Sequence, residues 1–266
     1  KNCKAIGWYV DDFKRAQISI NLTNYHVANM HHVFDAASQL AVEKGLRITG
    51  SEIVGVVPKE ALIQAGIHYL QKQDSCAGQS EAELIKVAEQ SLGLSDVVKF
   101  KPEEKIIEYM VKEGKGLADK TLVEFNDLLA SDAPAPGGGS VAALAGSLAA
   151  SLGSMVANLT YNKKGYKKYN EEMNRIALEM QLKKAELLAL IDEDTNAFNI
   201  MMDAMKNQNA VKKSGTAEEI AAADAKMYEA NKFAISIPLK VLEKSFELLP
   251  ALKAVGERGN SNAVSD

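Results

Sequence analysis

The sequence contains two cysteines, four histidines, one tryptophan and six prolines, and it has no surplus of positive charge. Cys3 and Cys76 show no metal-ligand spacing and are too few for a disulfide framework, which points to a reducing, cytoplasmic setting. Thirty-one Lys and Arg against 35 Asp and Glu leave a formal charge of −4. Phosphate binding usually needs a strongly basic domain, so nucleic acid is excluded as a bulk electrostatic partner. His26, His31, His32 and His68 form no metal pattern; His31 and His32 are neighbours and face different sides of a helix, so no zinc site is expected. There is no Gly-x-Ser-x-Gly elbow and no Cys–His protease signature. Residues 1–13 carry Lys4, Asp11 and Asp12 and lack the apolar run of a signal peptide. With 47% hydrophobic and 25% charged residues, disordered and low-complexity classes are excluded. The 266 residues suffice for one large domain or two modest ones.

The two halves of the chain differ in pattern. Residues 4–10 read as a strand. Residues 16–22 alternate, with Ile18, Ile20 and Leu22 on one face and Gln17, Ser19 and Asn21 on the other, and the short connection predicts a hairpin. Val33, Phe34, Ala37, Leu40 and Ala41 recur at helical steps over residues 30–43, and Gly45 terminates that helix. A third strand is expected over 47–57, then a helix opened by Pro58. Two strands, a helix, a strand and a helix imply an α+β layer with helices on one sheet face.

Beyond residue 80 strand signals vanish. Ser80-Glu81-Ala82-Glu83 is a capping box that starts a helix. Pro102-Glu103-Glu104 starts another, to about residue 111. Residues 112–120 are the linker candidate. The expected units are therefore 1–111 and 121–266, the second an all-α helical bundle with helices over 121–130, 140–160, 167–206 and 216–248. Pro238 is expected to kink the last of these. Residues 133–162 carry no charge, and 141–159 is long enough to cross a bilayer. Its Ala, Gly and Ser content suits a helix buried in protein instead. Ala142, Gly146, Ala150 and Ser154 form a small-residue row that lets helix backbones approach, within the bundle or between two copies.

Three segments can carry chemistry. Pro134-Ala135-Pro136-Gly137-Gly138-Gly139-Ser140 leads directly into a helix. Its glycines leave the backbone open, and N–H groups at a helix start attract anions. No Lys follows them, so this is not a P-loop; the purely structural alternative is a tight turn capped by Ser140. Asp192-Glu193-Asp194 places three carboxylates in a row, and Asp194 lies beside the stripe of Ile191 and Phe198. A carboxyl group near an apolar core can exchange protons near neutral pH; the alternative is a solvated acidic face. Lys163-Lys164-Gly165-Tyr166-Lys167-Lys168 could steer a polyanion, or simply be a solvated helix end.

These segments resemble the bifunctional formiminotransferase-cyclodeaminases, folate enzymes of histidine degradation. In the first half, Ala5-Ile6-Gly7-Trp8-Tyr9, the stretch 16–22, the stretch 49–58 and the stretch 102–109 resemble the second, ferredoxin-like subdomain of the transferase. In the second half, residues 131–143, Ser154-Met155-Val156-Ala157-Asn158-Leu159-Thr160-Tyr161, Asp192-x-Asp194 and Gly259-Asn260 with Ser265-Asp266 resemble the cyclodeaminase. The family usually has Gly where Asn162 stands.

The resemblance implies two reactions. A formimino group passes from N-formimino-glutamate to tetrahydrofolate, and 5-formimino-tetrahydrofolate then closes to 5,10-methenyl-tetrahydrofolate with release of ammonia. Closure requires N10 to lose a proton as it attacks the formimino carbon, and the departing nitrogen to gain one. The resemblance gives that exchange to Asp194 and folate contact to Gly137, Gly138, Gly139, Ser140, Asn158, Asn199 and Asn260. Lys163 and Lys164 would attract a polyglutamate tail, and Ser19 and Asn21 would form one wall of a folate tunnel. Tetrahydrofolate would serve as substrate and one-carbon carrier, with no metal, in a homo-oligomer away from membranes. The family's catalytic histidine lies in a first transferase subdomain that precedes the matched region, so none of the four histidines receives that role and the transferase step is expected to need that subdomain. A helical segment that normally follows Ser-Asp is also outside the match. Two other readings remain: a methenyl-tetrahydrofolate cyclohydrolase-like enzyme, and a non-catalytic folate-binding or self-associating scaffold.

Overall fold

The computed structural model describes residues 2–111, 114, 116–263 and 265. The chain separates into two compact units, 1–113 and 114–266.

The first unit combines a small sheet with helices. β1 (Cys3–Val10) and β2 (Arg15–Leu22) pair antiparallel, with Cys3 opposite Leu22 and Val10 opposite Arg15. Lys14 takes a left-handed φ of 49° in the four-residue turn. Ile6, Trp8, Tyr9 and Ile18 are exposed. α1 (Met30–Glu43) begins at Asn29, whose side chain accepts from Met30 N, and ends at Gly45 with φ 70°. α2 (Lys59–Lys72) has Pro58 as its N-cap rather than its first helical residue. α3 (Glu81–Leu92) is capped by Ser80, which accepts from Glu83 N at 3.3 Å. Two short turns follow, α4 (Pro102–Lys105) and α5 (Ile107–Met110).

The expected strand over 47–57 does not form. Its single ladder contact is a parallel bridge from Val57 to Ile106. Gly50 and Gly55 take φ of 152° and 82°, which breaks an extended run. Ser51 N bonds Gly93 O and Lys105 Nζ bonds Ile53 O, so the segment spends its polar groups on the end of α3 and on α4. The same bridge interrupts the helix expected after Pro102, because Ile106 is extended and fully buried. Leu62, Ala65, Tyr69, Ile85, Ala88 and Leu92 of α2 and α3 form the core, joined by Phe100 and Ile106 and flanked by Met30 and Phe34.

The second unit is helical. Leu117–Asp119 forms a 3₁₀ turn, followed by α6 (Leu122–Leu129), α7 (Gly138–Thr160), α8 (Asn170–Ser214), α9 (Ala217–Phe246) and α10 (Leu249–Arg258). Within the expected linker 112–120, Lys112, Glu113 and Lys115 lie outside the described residues. α7 is long and apolar enough to cross a membrane by length and composition, with half of its most apolar window buried. It packs chiefly along α8. Its small face comprises Ala143, Gly146, Ser147, Ala150, Gly153, Ser154 and Ala157, all buried, whereas Ala142 of the anticipated row is exposed. A Cβ on Gly146 would stand 3.3 Å from Leu187 of α8 and 2.7 Å from Ser245 of α9. α8 contributes Met173, Ile176, Met180, Leu187 and Ile191 to the core, and its burial stops at Ala197. From there it packs on the first half of α9, where Ala223 and Ala230 are buried and Gln208 bonds Asp224 at 2.7 Å. α9 continues through Pro238 as one helix. Asn162 takes φ of 58°, the left-handed conformation glycine adopts freely and asparagine tolerates, and it exchanges hydrogen bonds with Asn170.

Two measurements follow from the first unit. Gly66 of α2 lies so close to α3 that a Cβ would stand 2.2 Å from Leu84 O. Gly66→Ala should lower the unfolding free energy in urea by roughly 2–3 kcal/mol, because the clash with main chain outweighs the ~1 kcal/mol gain in helix propensity. His31 is buried, its Nδ1 has no hydrogen-bond partner, and its ring stacks on His68 at 4.5 Å. Burial, followed by the positive potential of His32 and His68, lowers its pKa from 6.5 to about 4, against a weaker opposing pull from Asp35. The unfolded chain thus binds a proton more readily than the folded one. His31 contributes full stability above pH 6.5 and loses it as pH falls towards 4, a change of roughly 3 kcal/mol. His31→Leu should flatten urea midpoints measured across that window.

Candidate functional site

The site forms where the first turn of α7 meets the middle of α8. Gly137 is the N-cap of α7 and supplies no side-chain cap; Ser140, the cap in the purely structural alternative, is the third helical residue. Capping comes from the neighbouring helix. Asp194 Oδ2 accepts from Ser140 N at 2.9 Å and from Ser140 Oγ at 3.1 Å. Ser140 is fully buried, and its hydroxyl also lies 3.0 Å from Ile191 O. The carboxylate therefore rests at the positive end of the α7 dipole. Gly139 makes this approach possible, since a Cβ there would stand 2.1 Å from Asp194 Oδ1. Gly137 and Gly138 face open space, and the first-turn N–H groups of a helix have no partner within it. Asp194 is half-buried, with Oδ2 on Ser140 and Oδ1 against Gly139.

Asp192 has a function that sequence reading did not supply. Its Oδ1 accepts from Leu117 N at 2.6 Å, and a Cβ on Gly116 would stand 2.3 Å from its Oδ2. Each aspartate thus holds a main-chain amide beside an obligatory glycine. Glu193 between them is exposed, 3.9 Å from Lys240. The signal for Asp192 was present in the Gly-x-Gly of 114–116, which was read only as flexibility.

The other anticipated residues do not gather around Asp194. Asn158 lies towards the opposite end of α7, about 27 Å from Ser140 at the rise of an α-helix. Its Nδ2 bonds Ser154 O at 2.9 Å, and Gln181 Nε2 bonds Ser154 Oγ at 3.1 Å. Beyond it a second polar cluster ties the C-terminal turn to α7. Lys163 Nζ donates to Asn260 Oδ1, and Asn260 N donates to the buried Thr160 hydroxyl at 2.8 Å. Tyr166 OH lies 3.3 Å from Ser261 Oγ. Lys164 is exposed, as is Asn199, which sits further along α8 on another face. Ser19 and Asn21 belong to the first unit, opposite Ile6 and Lys4 in the hairpin. On their face Gln17 Nε2 reaches Glu52 Oε1 at 3.3 Å, so the polar side of β2 meets the 47–57 segment. Among the described residues, no group of three or more His, Cys, Asp and Glu is arranged to hold a metal ion.

Comparison with known proteins matches both units. A family model described as Formiminotransferase-cyclodeaminase covers residues 121–266, and one described as Formiminotransferase domain covers residues 1–112. The chain is 34% identical over 269 residues to formimidoyltransferase-cyclodeaminase of Mus musculus, covering 100% of this chain and 49% of that protein. It is 37% identical over 151 residues to methenyltetrahydrofolate cyclohydrolase of Methylorubrum extorquens, covering 56% of this chain and 69% of that protein. A crystal structure of formiminotetrahydrofolate cyclodeaminase from Thermotoga maritima is 34% identical, with a TM-score of 0.46 over 55% of this chain and 66% of that one. The chain spans about half the length of the formimidoyltransferase-cyclodeaminases it matches.

The contact between Ser140 and Asp194 is testable apart from any activity. Ser140→Ala removes a buried hydroxyl that bonds both Ile191 O and Asp194, and should lower stability in urea by about 1–3 kcal/mol. Gly139→Ala should displace the Asp194 carboxylate, seen as loss of amide protection at Ser140 in hydrogen exchange; unchanged protection would contradict the close approach.

Proposed function

The chain belongs to the formiminotransferase-cyclodeaminase family, and from that premise we propose that its helical unit carries out the cyclodeaminase step. 5-Formimino-tetrahydrofolate closes to 5,10-methenyl-tetrahydrofolate and ammonia leaves. The observation that carries this reading is the Asp194 carboxylate, fixed by Ser140 and open beside Gly137 and Gly138. As N10 attacks the formimino carbon, Asp194 takes its proton and returns it to the departing nitrogen, so one carboxyl group serves as base and then acid. Ser140 keeps one oxygen oriented and leaves the other for the substrate. The first-turn amides of α7 favour any negative group placed against them.

The first unit is assigned to the ferredoxin-like second subdomain of the transferase, with Ser19 and Asn21 on a folate-facing wall. N-Formimino-glutamate is the donor in that half reaction. Tetrahydrofolate is substrate and carrier throughout, and the setting is cytoplasmic. Lys163 and Lys164 are assigned to attraction of a polyglutamate tail. Self-association supports their part. Val141, Leu148, Leu152, Met155 and Leu159 form an exposed apolar stripe along α7 at steps of seven, four, three and four. A two-fold axis across its centre, near Ala150, would pair two copies antiparallel and bring the Lys163 end of one towards the 137–140 turn of the other.

The similarity to a methenyltetrahydrofolate cyclohydrolase is consistent with a second reading for the helical unit, hydrolysis of the methenyl compound. The two are separated by one assay. The purified chain is given 5-formimino-tetrahydrofolate, and methenyl absorbance and ammonia are followed together. Turnover is expected, with Asp194→Asn reducing it by about 10²–10⁴-fold. Unchanged turnover in that variant removes Asp194 from the mechanism. Consumption of added methenyl-tetrahydrofolate without ammonia release supports the cyclohydrolase instead. Folate binding with neither reaction leaves the scaffold.

A further inference from the structure

The Ser140 side chain faces two acceptors with one proton. Its hydroxyl oxygen lies 3.0 Å from Ile191 O and 3.1 Å from Asp194 Oδ2. A serine hydroxyl carries a single hydrogen and two lone pairs, so only one of these bonds is donated at a time. Thr195 Oγ1 stands at 3.5 Å, the edge of hydrogen-bond range. Ser140 is fully buried and Ile191 nearly so, and these protein groups rather than bulk water compete for the proton.

The charge on Asp194 decides the competition. A hydrogen bond to an ionised carboxylate is about twice as strong as one to a neutral carbonyl. While Asp194 is ionised, the hydroxyl therefore donates to Oδ2, which also accepts from Ser140 N at 2.9 Å, and both lone pairs of that oxygen are used. Once Asp194 is neutral the preference disappears. With the proton on Oδ2, the acid donates to Ser140 Oγ and the serine turns its own hydrogen to Ile191 O. With the proton on Oδ1, Oδ2 is a neutral carbonyl oxygen and Ile191 O is an equal acceptor. In either case Ser140 N keeps its bond to Oδ2, both hydrogens of Ser140 have partners, and no heavy atom moves.

We propose that Ser140 is a positioning residue whose hydroxyl turns between Asp194 and Ile191 O, holding the carboxyl in one place through both of its protonation states. A single acid that takes a proton and returns it must stay within reach of the substrate in both forms, and this contact meets that requirement. The proton exchanged is the one that leaves N10 and reaches the departing nitrogen; the serine proton only rotates. That use in cyclisation rests on the cyclodeaminase reading, whereas the turning of the hydroxyl rests on the distances alone.

The charged groups on the elements packed there are engaged elsewhere. Asp192 accepts from Leu117 N, Glu193 lies 3.9 Å from Lys240 of α9, and Asp119 of the 3₁₀ turn accepts from Gly116 N. α7 brings none, because residues 133–162 are uncharged, and all four histidines lie in the first unit. The test follows the full chain by NMR, reading the side-chain carboxyl carbon of Asp194 and the amide of residue 140 across the carboxyl titration. In the wild type that amide should stay protected from hydrogen exchange while Asp194 takes up its proton. Ser140→Ala removes a donor that favours the ionised form, so the titration should move to higher pH by about 0.5–1 unit, and amide protection should fall as the proton binds. Ser140→Cys, a weaker donor, should lie between the two. A purely structural role would lower stability and leave the midpoint in place. Loss of wild-type protection on protonation overturns the proposal without any variant, and so does a Ser140→Ala midpoint equal to or below that of the wild type. Cyclisation of 5-formimino-tetrahydrofolate is measured separately, and there Ser140→Ala should lower kcat by about tenfold with KM nearly unchanged. The expected titrations without turnover keep the turning hydroxyl and remove the cyclodeaminase reading; turnover with a Ser140→Ala titration like that of the wild type does the reverse.

Discussion

The close approach of α7 to α8 is the constraint on which the helical unit depends. It exists because one face of α7 is built from Ala, Gly and Ser, so that large side chains of α8 such as Met180 and Leu187 can reach its backbone. Dispersion across that seam replaces the bulk that a leucine-rich helix would supply. The seam also fixes position. With the helices this close, Ser140 at the start of α7 falls against Asp194 in the middle of α8 and donates two hydrogen bonds to its carboxylate, from N and from Oγ. A looser pair of helices would leave the first turn of α7 to water and the carboxylate to drift.

The Asp-x-Asp segment follows the same logic twice. Asp192 and Asp194 each accept from the backbone of a distant glycine-containing segment, and each needs the glycine because its oxygen occupies the space of a Cβ. One aspartate anchors the turn that opens the unit. The other anchors the turn that opens α7 through Oδ2, with Oδ1 against Gly139. Two residues apart on a helix, they face different sides. The segment therefore holds two pieces of chain with a single stretch of α8.

Much of this was legible in the sequence. The hairpin, the helix ending at Gly45, the cap at Ser80 and the pairing of the triple glycine with Asp194 rest on local signals or on motifs that resemble a family. The strand over 47–57 was misread because alternation is a local property, whereas a strand needs a neighbour to bond; Gly50 and Gly55 turned that segment towards α3 and α4 instead. The structural alternative of a turn capped by Ser140 does not hold, since the helix starts two residues earlier and Asp194 of α8 accepts from its first turn. Asn158, Lys163 and Asn260 lie at the other end of α7 from Asp194, a separation that the sequence does not display. Motif order along a chain does not say which end of a 23-residue helix a motif occupies.

The burial of α8 ends at Ala197, three residues beyond Asp194, although the helix runs on to Ser214. The outer part packs on α9, which buries Ala223 and Ala230 there, but contributes no fully buried side chain of its own, so its backbone is expected to open at lower free energy than the inner part. Asp194 sits at that boundary. Its carboxylate belongs to the rigid body through Ser140, while the chain that leaves it is free to breathe. Motion of the outer helix would therefore leave the Asp194 contact with α7 in place.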